Sequence, residues 1–447
     1  IHLRGRQNLE EAVRHLERAL RLDNDFAPAH AQLAIATILL PGYGGSTTPA
    51  EARQAAILHL DRAQELEPDL AEAHGGRALL ANSEGDFESA IEHARKALAL
   101  NPNYADATLW LSRSLGNLQR YEEAFATLKQ VLVIDPLTIV GRINYAFWLG
   151  AIGQIEEAHE IADQLLMPSP GFGYLAHAET SFFFEGKIAE SLFWNLRAMA
   201  ADTSYGAAAE LRMTALITIG EYDEARRVDD DLTYVVDVFE GRFEEAIQAT
   251  QRNMQLNPER ERAIAAAANV LYVAGRIDEA LPLYERLRDF VPEGREIRGS
   301  HEMDTGRWET TMRLALARRE AGDEIGAQAA AETAKQDLAA WSRLGKNQFT
   351  YRAEAMFAAF ENDPDRVIAA LKSALQRGTK NSRFFDDFIF EDIWDEPRFV
   401  ALQQELDAIL AEEHDKVLQL ICFNNPVPGD WQPLPETCEG VEEQRRL

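Results

Sequence analysis

GDFESAIEHARKALALNP, residues 85–102, has four gap-free counterparts along the chain: QRYEEAFATLKQVLVIDP (119–136), GQIEEAHEIADQLLMPSP (153–170), GRFEEAIQATQRNMQLNP (241–258) and GRIDEALPLYERLRDFVP (275–292). In the first copy Asp86 suits a helix N-cap, and Phe87, Ala90, Ile91, Ala94 and Ala97 recur at helical spacing. Pro102 then stops the helix. The stretch from Ala71 to Asn82 reads as a second helix of similar length, so one unit is a helical hairpin. Small residues at Ala90, Ala94 and Ala97 let paired helices approach closely, and Phe87 plugs the neighbouring interface. Pro68, Pro102, Pro136 and Pro170 stand 34 residues apart, as do Pro258 and Pro292. A lone hairpin cannot bury its apolar face, whereas a stack of copies can.

The same alanine anchor is placed at Ala12, Ala56, Ala225 and Ala327, with Ser191 standing in once and Val367 as the weakest case. Counted from the anchors, about eleven hairpins follow. Three features break the period, one being PEGREIRGSHEMDTG (292–306), which interrupts the run before a final group. PGYGGSTTP (41–49) lengthens a turn, because Gly and Pro cannot continue a helix there. Ala225 and Ala246 are only 21 residues apart, so one hairpin is cut short.

Over roughly residues 8 to 376 the pattern resembles the tetratricopeptide repeat, since small, aromatic and proline positions recur in one phase. The resemblance implies an all-α fold: a tetratricopeptide-like α-solenoid, wound as a right-handed superhelix of helical hairpins, with a C-terminal capping helix and an irregular tail. The expected division is a main array over 1–292, an irregular interruption over 293–308 acting as a hinge, a second short group over 309–376, a capping segment over 377–412 and an extended tail over 413–447. IWDEPRFVALQQELDAIL (393–410) looks like the closing helix of repeat modules in large bacterial signalling proteins, and LRGRQNLEEAVRHLERALRLDNDFAPAHAQLA (3–34) is similar to their start. In those proteins the array follows a nucleotide cyclase, a protein kinase or a winged-helix domain. The chain begins with Ile1, and the reading is of a processed or excised piece whose output domain lies upstream.

The resemblance also implies that the inward helices line a concave groove that grips a protein or peptide segment. In this phase the groove residues are Ile35, Leu79, Asn82, Arg113, Asn117, Ile143, Phe147, Thr180, Phe183, Phe184 and Tyr272. The part from Ile143 to Phe184 is apolar and aromatic, a patch that calls for a partner if open; superhelical closure or the chain's own tail is the alternative cover. Relatives that grip peptide carboxylates use several Lys and Arg, and only Arg113 stands among these positions.

The formal net charge of -29 on 447 residues argues against binding nucleic acid or anionic lipid, both of which need clustered cations. No run of 18 apolar residues occurs, so direct membrane insertion is not expected. The compartment is read as soluble, periplasmic or cytoplasmic in a bacterium. A homodimer is compatible with the pattern. Cys422 and Cys438, both in the tail, are read equally as a disulfide or two thiols.

Chemistry is scarce. GYGG (42–45) lacks the lysine of a phosphate loop, and no H-E-x-x-H, G-x-S-x-G or C-x-x-C occurs. His15, His59 and His93 share one repeat position and His30 and His74 another, which sets members of each set a repeat apart and too distant to share an ion. In FFDDFIFEDIWDEP (384–397), Asp386, Asp387, Glu391 and Asp392 are weighed as an ion site against a cap sealed by Phe384, Phe388, Trp394 and Phe399, and the cap is preferred. No catalytic residue, cofactor or metal is assigned. The expected function is a non-catalytic scaffold, the regulatory or sensory module of a bacterial signalling protein. The alternatives are the regulatory part of a cyclase or kinase, an envelope assembly factor, or a small-molecule sensor.

Overall fold

A computed structural model describes residues 5–43, 47–201, 207–228, 233–256, 261–290, 306–343, 345, 347–380, 382–385, 387–424 and 432–444. The described residues are helical with short turns, and no strand occurs among them. No helix among them is long and apolar enough to cross a membrane. Two compact units emerge. The first comprises Ile1–Leu149, Glu156–Ala176 and Ala201–Ala208; the second comprises Gly150–Ile155, His177–Ala200 and Ala209–Leu447. The division therefore falls inside the stretch expected as one main array over 1–292. The expected hinge over 293–308 lies almost wholly outside the described residues.

In the first unit the hairpins follow the repeat. Helix Ala71–Glu84 turns at Gly85, whose φ of 79° is the left-handed conformation that favours glycine. Asp86 then accepts from the Ser89 N–H and starts helix Phe87–Leu100. The long turn after helix Ala27–Leu39 ends at Thr48, whose capping box with Glu51 opens helix Pro49–Leu66. Ten of the eleven anchors, from Ala56 to Val367, are at most 1% exposed; Ala12 is half-buried. The stand-in Ser191 fits because its hydroxyl donates to the Ala178 carbonyl at 2.8 Å. Ala94 packs with Ile91, Ala97, Tyr104, Ala107 and Leu111. Ala94→Leu is expected to destabilise by about 1–3 kcal/mol through overpacking, read as a lower urea midpoint for the first unit.

The second unit opens with full-length helices; the outer helix Tyr222–Arg226, which carries Ala225, is then cut short, and the shortened hairpin that follows pairs Thr233–Phe239 with Phe243–Leu256. Its later hairpins pair Glu261–Val273 with Ile277–Phe290, Gly306–Glu320 with Glu324–Ser342, and Gln348–Phe360 with Pro364–Gln376. Phe384, Phe385, Phe390 and Phe399 close the last hairpin by edge-on and tilted ring contacts 5.4–6.2 Å between centroids. They are buried, as a cap requires. Trp394 is partly buried against the same core, while Asp386 lies outside the described residues.

The tail differs from its expected extended form. Helix Pro397–Gln419 runs on through His414, a second helix occupies Pro435–Gln444, and a disulfide joins Cys422 to Cys438. The physical reason is a second apolar stripe: Leu402, Leu406, Val417 and Ile421 are all buried at helical spacing. The prolines beyond residue 425 do not reach back far enough to break it.

Candidate functional site

On the first unit, the inner helix Ala71–Glu84 carries Leu79 and Asn82, both buried, as is Ile35 on Ala27–Leu39. Asn82 donates to the Ser114 hydroxyl at 2.8 Å, so it knits neighbouring inner helices together. The next inner helix, Ala105–Asn117, holds Arg113 and Asn117 half-buried, with the Asn117 amide donating to the Arg113 carbonyl at 2.8 Å. On Ile139–Ala151, Ile143 and Phe147 are half-buried too, and Ile143 packs on the cluster of Ile139, Ala146 and Leu165. Arg113, Asn117, Ile143 and Phe147 thus keep part of their surface open. Leu79, Asn82 and Ile35 are interior.

On the second unit the expected groove residues are mostly interior, which corrects the sequence reading. Thr180, Phe184 and Tyr272 are buried. A Cβ at Gly150 would run into the ring of Phe184, so only glycine lets these two elements meet. Gln348 donates to the Phe183 carbonyl, Asn347 donates to the Ala151 carbonyl at 2.8 Å, and Thr379 holds the Gln348 amide at 3.1 Å. The chain's own residues therefore cover this wall. Phe183 alone of the four is half-buried, packed between Phe182 and Phe184. A single-repeat phase assigns inward direction but cannot foresee a distant hairpin laid against it.

A charged network in the second unit escaped the sequence reading. Arg313 donates to Glu309 at 2.6 Å and to the Asn269 amide oxygen at 2.8 Å, and the Tyr284 hydroxyl donates to that same oxygen at 3.0 Å. Its guanidinium also lies 5.5 Å from the ring centroid of Tyr272, whose hydroxyl donates to Asp387 at 3.0 Å. Burial pushes the Tyr272 and Tyr284 hydroxyls up and raises the carboxyl of Asp387, against the pull of Arg313. Burial also works against the Arg313 cation, but Glu309 and the neighbouring groups outweigh it and hold the charge. Asp387 further accepts from the Ile389 N–H, so it is a structural carboxylate of the cap. Among the described residues no group of three or more His, Cys, Asp or Glu side chains could hold a metal ion.

The histidines meet at helix interfaces in pairs that the comparison of like positions did not foresee. Members of the two repeat positions meet across a hairpin: His30 and His59 approach Nδ1 to Nδ1 at 2.9 Å, and His74 and His93 at 3.4 Å. Each position compared with itself lies a repeat away, whereas the two positions compared with each other are partners in one hairpin. The sequence signal lay in the repeat phase: His30 and His74 each stand three residues after the first residue of their inner helix, and His59 and His93 each three residues after the anchors Ala56 and Ala90.

Residues 81–140 match the family model described as Tetratricopeptide repeat, and residues 232–302 match the Bacterial transcriptional activator domain. No curated protein matches the chain. Among 191 matching chains of solved structures is the APC/C hetero-tetramer Cut9–Hcn1, 13% identical with a TM-score of 0.40, over 93% of this chain and 87% of that one. Another is the human IFIT1 dimer with PPP-AAAA, 14% identical with a TM-score of 0.40, over 69% of this chain and 72% of that one. With the 34-residue period and the hairpins it produces, the chain carries tetratricopeptide-like repeats, matched by the family model over 81–140, and is similar over part of its second unit to the bacterial transcriptional activator domain.

Proposed function

We propose that the chain is a non-catalytic scaffold that holds a protein or peptide segment on the inner helices of its first unit, as a regulatory module in bacterial signalling. The observation that supports this reading is the half-open set Arg113, Asn117, Ile143 and Phe147 on two successive inner helices. One cation, one amide and two apolar side chains suit a peptide with its own apolar anchor and a polar backbone. Repeat hairpins supply rigid, evenly spaced positions, which is what recognition of an extended segment needs. In this proposal the chain performs no reaction itself, and the regulated output lies elsewhere.

The test is photo-crosslinking in the source cells. A photoreactive residue at position 113 or 147 is expected to trap the same partner, and one at the exposed outer position Leu58 to trap none of it. Identical adducts from inner and outer positions would refute the inner face as the site. A second reading, control of transcription, is favoured by the match over 232–302. It expects a defined set of transcripts to change when the gene is removed and to recover on re-expression. An unchanged transcript profile would sink it.

A further inference from the structure

The two imidazole pairs of the first unit are built the same way in consecutive hairpins. The ring centroids of His30 and His59 are 5.2 Å apart, and those of His74 and His93 are 5.7 Å apart. Each centroid separation exceeds the corresponding nitrogen separation of 2.9 or 3.4 Å by about two ring radii, so the Nδ1 atoms point head-on. Lone pairs aimed at each other cannot converge on a metal held at ~2.1 Å from both nitrogens. The geometry is that of a shared proton.

The proton's place follows from the second nitrogen. His30 Nε2 lies 3.0 Å from the Asn24 carbonyl, which can only accept, so Nε2 carries a hydrogen and Nδ1 a lone pair. His59 therefore donates its Nδ1–H to His30. His74 is anchored likewise by a backbone bond to Pro68; proline has no N–H, so the imidazole donates to the carbonyl. One added proton still leaves one N–H···N bond in a pair. A second leaves two N–H groups opposed and two positive charges at the separations just given, with no lone pair between them.

We propose that these pairs form a proton-operated latch that ties the inner helices Ala27–Leu39 and Ala71–Glu84 to the outer helices Pro49–Leu66 and Phe87–Leu100. The latch is closed above the ordinary imidazole range and released below it. Glu17, from helix Arg6–Leu22, faces His59 and favours its proton, while Asp25 and Arg62 are paired to each other one turn away. Around the second pair Lys96 and Arg77 oppose protonation, and Asp69 and Glu92 favour it. Burial, followed by the partner's charge, holds His59 and His93 below the usual value, and burial does the same for His74. Because these folded-state values are depressed, the unfolded hairpin binds more protons. The stabilisation is complete above about pH 6.5 and is lost progressively as pH falls below it, towards the folded values.

Hydrogen exchange of the full chain tests this. After correction for intrinsic rates, protection of the four named helices is expected to fall more than about tenfold between about pH 7.5 and about pH 5, while helix Gln348–Phe360 of the second unit holds. In the double variant His59→Gln with His93→Gln, the amide still donates to the neutral partner but no second cation forms, so that fall should disappear. Constant protection in the wild type, or the same fall in the double variant, overturns the latch. Should the variant not fold, imidazole Cε1–H titration of the wild type decides. Midpoints below about 6.5 for His59 and His93 support the latch, and midpoints at or above that value for both refute it.

Discussion

Arg313→Leu is expected to cost the second unit about 3–5 kcal/mol, because it removes the cation of a buried ion pair and the bonds that its guanidinium makes to Glu309 and Asn269. Glu309 is 7% exposed and takes its short bond, 2.6 Å, from Arg313; Arg352 reaches it only at 4.0 Å. Leucine would take that short bond from Glu309, deprive the Asn269 oxygen of one of its two donors and remove the cation that favours the ionised form of Asp387. Urea unfolding of the full chain, followed by tryptophan fluorescence, should show the lost stability in the transition to which Trp308 and Trp394 belong. The companion substitution Glu309→Leu in the same chain should recover a good part of the loss, since an apolar pair buries no charge. A single-variant loss under about 1 kcal/mol would mean that water reaches Glu309 and that the network is not a closed one.

The repeat made much of this fold legible in advance, and the reason is local. Anchors such as Ala90, Ala124 and Ala280 face a helix a fixed distance away in the same or the next hairpin, so periodicity alone fixes their burial. The short hairpin was legible for the same reason, from the narrow spacing of Ala225 and Ala246. Legibility ended where the contacts ceased to be periodic. Phe183 and Tyr272 hold inward positions by phase, yet Gln348 and Asp387 come from far along the chain to meet them. Nothing in one repeat encodes that meeting. The histidine pairs went unforeseen for the opposite reason: like positions were compared with like, whereas contact runs between unlike positions on the two arms of one hairpin. On the candidate site, Arg113, Asn117, Ile143 and Phe147 keep partial exposure, whereas Ile35, Leu79 and Asn82 at inward positions of the same unit are buried.

Val417→Asp is expected to release the C-terminal helix from the second unit. Val417 is fully buried beside Ile188, Leu192, Leu196, Leu216 and Ile421, with no cation among those side chains to receive a carboxylate. Burying an unpaired charge there would cost about 4 kcal/mol or more, so the cheapest relief is to lift the helix into water. What resists is a set of polar ties on either side. Glu413 accepts from the Ala189 N–H at 2.8 Å near the start of helix Ile188–Ala200, where a carboxylate is favoured, and His414 meets Glu221 at 2.6 Å. Further on, the buried Glu224 accepts from the Leu434 N–H at 2.5 Å and Arg227 donates to the Gln432 carbonyl at 2.8 Å. The Cys422–Cys438 disulfide joins the two helices of the tail to each other, so a released tail should leave as one piece. Polar ties of this kind contribute about 1 kcal/mol each, so the four together only match the lower end of that penalty and do not outweigh it. Limited proteolysis without reductant should therefore cut Val417→Asp between residues 400 and 424 at least about tenfold faster than the wild type, while the exposed Asp415→Ala is cut at the wild-type rate. Equal cutting of all three would show that the helix is held by the polar ties rather than by its apolar face.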